Sequence, residues 1–150
     1  MVADEIHLEH GHLYANELSI LTRSSTGFSG QTIDLNSGVM ISGASTLGAA
    51  PGPGNLVVPR ETISINNERV TPHSVFLANV VSQCNSKSAV HVIEIIPTVG
   101  SVEFVLANFG SRACSDGNIL NAETYTVNFL LLNPDYTRAW ATAESAAAGR

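Results

Sequence analysis

The sequence predicts an all-β protein, either an antiparallel β-sandwich or a jelly-roll-like barrel. Two apolar runs near the end of the chain, residues 99–110 and 124–132, alternate in the way of strands that have one face on a core. Between the apolar runs there is no helical period, and the helical crossovers of a parallel sheet are therefore not expected. The positions that the alternation places inward are Val102, Phe104, Leu106, Tyr125, Val127 and Phe129.

Short strands are predicted along the rest of the domain. Residues 30–36 alternate and predict one strand, and residues 39–41 follow as a second short run. Stronger signals lie at residues 62–66, 74–81 and 89–96. The pair Asn66-Asn67 is typical of a turn, and Pro97 is expected to stop the strand before it.

These strands define a β-sandwich domain at residues 30–133. Residues 1–29 are predicted to form an extended N-terminal arm, and residues 134–150 an alanine-rich C-terminal tail. Inside the domain, residues 42–54 are mostly small, with interspersed Gly and Pro. This composition cannot build a core of its own, and it predicts a loop or an arm that reaches another subunit.

The composition limits the classes of partner that can be expected. Charged residues make up 13% of the chain and the formal net charge is -6, with a single lysine and arginines that are scattered one at a time. Binding to nucleic acid is not expected, because phosphate neutralisation needs clustered cations. No apolar run is long enough to span a bilayer, and no membrane partner is expected. The low charge predicts either that unusually much surface is buried inside the fold or that part of it is buried against other chains.

Cys84 and Cys114 each lie in a Ser- and Asn-rich connection after a predicted strand. A disulfide would form if these two connections met in space. The first residues, however, lack the basic start and apolar block of a secretory signal, and so we expect the chain to be used without export. The sequence therefore predicts two free thiols.

Two groups of residues could hold a metal. His7, His10 and His12 form the spacing His-x-x-His-x-His, but no carboxylate or cysteine pattern supports a metal there. The loop with Asp116-Gly117-Asn118, Asn121 and Glu123 offers oxygen ligands for calcium, although its spacing is first of all typical of a turn. Neither group predicts a metal site.

No pattern predicts catalysis. His73 and Ser74 are adjacent and would point to opposite faces of a strand, and no serine lies in a Gly-x-Ser-x-Gly elbow. Glu94 and Glu103 occupy positions expected on solvated faces. We therefore expect a protein that is not an enzyme and that carries no cofactor.

Three segments carry a resemblance to a known family. Residues 70–78 open a strand with a Thr-x-x-Ser turn, residues 99–108 follow Gly-Ser with a strand that ends in Ala-Asn, and residues 124–132 form a last strand with Phe-Leu. This order resembles a small β domain of tailed-bacteriophage virion proteins, and the size is similar to that of capsid cement (decoration) proteins. The resemblance implies a virion protein on the capsid surface, assembled in the host cytoplasm, that binds the major capsid protein, commonly as a trimer.

The first functional hypothesis is therefore a cement protein that bridges capsid subunits. The alternative is a tail-fibre, receptor-binding or carbohydrate-binding β-sandwich, whose site would present aromatic platforms. Under the first hypothesis the expected partner-contact residues are Leu13, Leu18, Ile20, Leu21, Tyr136 and Trp140.

Overall fold

The computed structural model of the chain describes residues 24–52, 57–115 and 123–133. These residues form strands and connections without a helix, which confirms the all-β prediction, and they accordingly include no helix that could cross a membrane. The strands are β1 (Thr26–Phe28), β2 (Ser37–Ile41), β3 (Arg60–Asn66), β4 (Val75–Ser82), β5 (Val90–Thr98), β6 (Ser101–Asn108) and β7 (Thr126–Leu132).

The strands form two sheets. The four-stranded sheet has the order β1-β2-β7-β4, and the three-stranded sheet has the order β3-β6-β5. Neighbouring strands pair antiparallel except β1 and β2, which run parallel with Thr26 opposite Val39. Strand β1 falls inside the range assigned to the N-terminal arm, and it extends the four-stranded sheet by one short edge strand.

A single core lies between the two sheets. The ring of Phe104, from the three-stranded sheet, lies 5.7 Å from the ring of Phe76 and 6.1 Å from the ring of Phe129, which both belong to the four-stranded sheet. Side chains of both sheets belong to the same buried cluster, in an arrangement consistent with a β-sandwich. The inward positions predicted on β6 and on the β7 run are all buried, so the period-2 prediction is confirmed there.

The connection at residues 42–52 packs along its own domain. Ser45 and Leu47 are buried, the backbone N–H of Cys114 donates to the carbonyl of Leu47, and the N–H of Ala50 donates to the carbonyl of Gly110. These residues form a loop, and they do not extend away from the domain as the alternative of a reaching arm requires.

Two strand boundaries differ from the prediction. Residues 30–36 do not form a strand, and their only ladder contact among the described residues is an isolated bridge from Thr32 to Asn66. The alternation there nevertheless has a physical basis, because Ile33 is buried in the core. The strand prediction is wrong because only residues 30–33 bond to the backbone of β3, at Ser64 and Asn66, which is too short a pairing for a ladder, and β2 starts only at Ser37.

Pro97 does not stop β5. It pairs with Val102, and the strand continues to Thr98 before a two-residue turn leads into β6. A proline is tolerated here because β5 is an edge strand, on which a nitrogen that faces away from β6 needs no partner. Gly100 occupies the turn with φ 78°, a conformation that side-chain-bearing residues rarely adopt.

The prediction of two free thiols is wrong. Cys84 and Cys114 are joined by a disulfide, with their Cα atoms 5.4 Å apart. The two connections lie side by side in the fold. The side-chain amide of Asn85, next to Cys84, donates to the carbonyl of Ala113, next to Cys114, at 2.9 Å. The sequence could not show that these two connections, which follow different strands of different sheets, meet in space.

Candidate interaction surface

Strand β4 is exposed and apolar on its outward side. Val75 is 48% exposed and Leu77 is 60% exposed, whereas Phe76 between them is buried in the core, and Val81 further along the strand is 59% exposed. The strand register assigns further side chains of the four-stranded sheet to the side away from the core; of these, Val39, Ile41, Thr126 and Leu130 are partly exposed and Ser37 is buried. We call this surface the outer face; it consists of Thr26, Phe28, Ser37, Val39, Ile41, Val75, Leu77, Asn79, Val81, Thr126, Asn128, Leu130 and Leu132.

The outer face is without charge, since none of these residues is ionisable. Its polar members are neutral and lie together: Asn79 and Asn128 are cross-strand neighbours, and the hydroxyls of Ser82 and Thr126 are 2.6 Å apart beside them. One antiparallel sheet face usually meets the core while the other meets water and is polar. A sheet that is apolar on both sides is typical of a sheet covered on both sides.

The three-stranded sheet provides the contrast within the same molecule. Its outward side carries ionisable groups on each strand, with Arg60 on β3, Glu103 on β6 and both His91 and Glu94 on β5. This is the composition of a solvated sheet face. The lack of charge on the outer face is therefore a property of one sheet and not a consequence of the low charge of the whole chain.

A cleft of about 890 Å³ lies along part of the outer face. Its lining includes two neighbouring rows, one through Leu77 and Leu130 and the other through Asn79 and Asn128. Strand β5 contributes Glu94, the one ionisable residue among the described residues of the lining. The aromatic lining residues are core residues with little exposure. The described part of the lining therefore offers no exposed aromatic platform of the kind that sugar binding usually uses.

The buried polar groups of the domain serve the fold. The carboxylate of Glu61 accepts hydrogen bonds from the hydroxyls of Ser45 and Tyr125, both at 2.7 Å, and from the backbone N–H of Thr46 at 3.1 Å. Burial first, and then the hydrogen bond and the negative charge of Glu61, raise the pKa of the Tyr125 phenol well above its ordinary value. The phenol is therefore a fixed donor that fastens the loop at residues 42–52.

Asn108 has the same structural role at the end of β6. Its side-chain oxygen accepts from the N–H groups of Ala89 and Gly110, and its side-chain nitrogen donates to the carbonyls of Gly48 and Arg112. The amide is fully buried, and four hydrogen bonds satisfy it. It joins three connections of the domain and offers no group to a ligand.

Only some of the residues that the sequence offers for metal binding or catalysis lie in the described part of the chain. The three N-terminal histidines and residues 116–122 of the calcium candidate lie outside the described residues. Glu123, the described member of that loop, accepts a hydrogen bond from the side chain of Asn85. Ser74 accepts from the N–H of Thr71 and donates to Asn133, as part of the turn that opens β4. Among the described residues, no group of three or more His, Cys, Asp or Glu side chains could hold a metal ion.

The expected partner-contact residues also lie outside the described residues: Leu13, Leu18, Ile20, Leu21, Tyr136 and Trp140. The outer face was missed by the sequence analysis, although a signal for it exists. In residues 75–81 and 127–132, apolar side chains occupy both parities, which is typical of strands that are covered on both sides. Comparison of the chain with family models, with curated proteins and with solved structures found no significant match.

Proposed function

We propose that this protein is a non-enzymatic structural component of a tailed-bacteriophage virion, a cement protein that binds the head lattice and stabilises it by bridging capsid subunits. The observation that carries the proposal is the uncharged, apolar outer face of the four-stranded sheet. Exposed apolar area of this extent on one sheet is typical of a protein that works by contact with other protein surfaces.

The segments that resemble the virion β domain support this choice of protein class. They fall on β4, on the hairpin into β6 and on β7, and two of these strands carry the outer face. The Thr-x-x-Ser turn is formed by Thr71 and Ser74, with the N–H of Ser74 donating to the carbonyl of Thr71. In the proposed mechanism, the rigid domain holds terminal segments that contact the shell, and many weak contacts act together on one particle.

The proposal is tested on empty head shells of a phage whose genome encodes the chain, prepared without this protein. Purified full-length protein is added, and the number of copies per shell and the temperature of shell disruption are measured. We expect saturable binding at equivalent lattice positions and a higher disruption temperature, because each bridge adds to the free energy needed to separate subunits.

The matched variants are Trp140→Ala, at an expected contact, and Val99→Ala, at the exposed hairpin turn. A buried tryptophan anchor contributes about 2 kcal/mol or more, so Trp140→Ala should weaken shell binding by roughly 30-fold or more, whereas Val99→Ala should leave it unchanged. Absence of saturable binding by the full chain overturns the proposal. Binding instead to a host-surface sugar or receptor would favour the recognition module.

A further inference from the structure

We infer that the outer face is an interface between two copies of this chain, packed sheet on sheet about a two-fold axis. The inference rests on the proposed function only in taking the outer face as a protein contact. Three features favour a second copy of the chain as the partner: the charge of the face, the protection of the sheet edges and the area available.

Charge favours a second copy. The chain has a formal net charge of -6, so two copies repel one another at most surfaces, and the cost is least where neither copy presents a carboxylate. The outer face meets that condition on both sides of a two-fold contact. Its neutral amides also suit self-pairing, because Asn79 and Asn128 each carry both a donor and an acceptor and can meet their own equivalents.

The other common route to association of β proteins is pairing between edge strands, and the edges of these sheets are protected against it. The edge strand β5 contains Pro97 and a bulge, and β4 has a bulge between Val80 and Ser82. The edge of β3 is occupied by its own chain, since the N–H of Gly30 donates to the carbonyl of Ser64, and β1 is only three residues long. Such devices block pairing of edges and leave a sheet face as the route to association.

The area predicts how strong the contact is. The four strands have three, five, seven and eight residues. At about 3.4 Å per residue and about 4.8 Å between strands, they give a face of roughly 400 Å² in projection. Two such faces, packed together, bury under about 1,200 Å² in total, which is at the low end of the range for specific interfaces. The expected dimer is therefore reversible. A two-fold contact also favours a dimer over the trimer that the resemblance implies, because it pairs the outer face with itself.

The test is sedimentation equilibrium of the full-length, oxidised protein from about 1 μM to about 1 mM. We expect the mass to rise with concentration from that of one 15.8 kDa chain to twice that value. Leu77→Lys places a charge on each side of the two-fold contact and should raise the dissociation constant about 100-fold or more.

The matched control is Ile96→Lys, which introduces the same charge at an exposed aliphatic position of the three-stranded sheet, next to Glu103. It should leave the dissociation constant unchanged. Asn79→Asp adds a charge to the outer face with almost no change of shape, and it keeps the test decisive if Leu77→Lys fails to fold as judged by circular dichroism.

Several results would overturn the inference: a monomer at every concentration, as when a terminal segment of the same chain covers the face; a trimer; or a dimer that both outer-face variants leave intact. The shell experiment is independent of this one. A dimer that binds no shell removes the proposed function and keeps the interface, whereas a monomer that binds shells removes the interface and keeps the function.

Discussion

At the scale of single residues, the buried phenol of Tyr125 joins the core to a carboxylate on the other sheet. Alternation alone put Tyr125 inward beside Val127 and Phe129, and all three are buried. The acceptor of the Tyr125 hydroxyl is Glu61, which lies 64 positions away on the other sheet. No local pattern connects two such residues, because their contact follows from the packing of the sheets.

The hydrogen bond from Tyr125 to Glu61 predicts a stability effect. Tyr125→Phe removes a buried donor to a carboxylate, and we expect the free energy of unfolding to fall by about 1.5–3 kcal/mol. Chemical denaturation measures this change. The control is Ser82→Ala, which removes an exposed hydroxyl pair with Thr126 and should cost under about 0.5 kcal/mol. Equal losses in the two variants would contradict the structural role of the phenol.

The raised pKa of Tyr125 also predicts a pH dependence. The unfolded phenol releases its proton near pH 10, while the buried phenol keeps it, so the folded state binds more protons and stability falls as the pH rises above about 10. Denaturation curves between about pH 9 and 11 should show a decline of up to about 1.4 kcal/mol per pH unit from this group. The decline should be smaller in Tyr125→Phe; an identical decline would contradict the assignment.

Gly38 shows a second contact that the sequence does not reveal. A Cβ atom built at this position would lie 2.7 Å from the ring of Phe129, so the absence of a side chain lets the ring settle on the backbone of β2. In the sequence, Gly38 is one of several glycines near turns. Its role in packing depends on the register between β2 and β7, which places Gly38 opposite Phe129.

At the scale of elements, strands β3 to β7 were predicted to within about two residues at each end. Strands β6 and β7 are central in their sheets, and their inward side chains were predicted correctly because each packs in the core between the sheets. The errors lie at edges: residues 30–36 alternate without forming a strand, and β5 continues through Pro97. At an edge, local preferences compete with pairing on one side only, so sequence pattern and hydrogen-bonded strand diverge there.

The disulfide gives a prediction for the connections. It closes a loop with a sequence separation of 30, and the entropy of the unfolded chain predicts a stabilisation of about 3–4 kcal/mol. Reduction should lower the denaturation midpoint of the native protein, and the double variant Cys84→Ala, Cys114→Ala should be equally unstable and insensitive to reductant. Reaction of both cysteines with a thiol reagent in denaturant, without reductant, would contradict the disulfide.

At the scale of the whole molecule, the fold class was predicted, whereas the candidate interaction surface has only a partial signal in the sequence, the apolar residues of both parities in β4 and β7. The low charged fraction predicted that much surface is buried, either inside the fold or against other chains, but composition does not say where. The location follows from the pairing of β2, β4 and β7, which collects uncharged residues from distant parts of the chain on one side of one sheet.

The lack of charge on this face predicts how association responds to salt. Raising sodium chloride from about 20 to about 500 mM screens the repulsion between two acidic chains, and the proposed interface has no ion pair for salt to weaken. The dissociation constant of the dimer should therefore stay the same or fall. Sulfate at equal ionic strength should tighten it further, because sulfate strengthens apolar burial. Sedimentation at each salt concentration measures this response, and weakening by sodium chloride would indicate an interface built on ion pairs.

The position of the disulfide has a mechanical consequence. Strand β1 begins and β7 ends at the same end of the four-stranded sheet, whereas Cys84 follows β4 at the opposite end. Tension applied through the two termini therefore enters at one end of the molecule, and the covalent crosslink lies at the other. When the strands are pulled apart, the disulfide keeps the segment between the two cysteines from extending. The fully stretched oxidised chain is therefore shorter by roughly 100 Å than the fully stretched reduced chain.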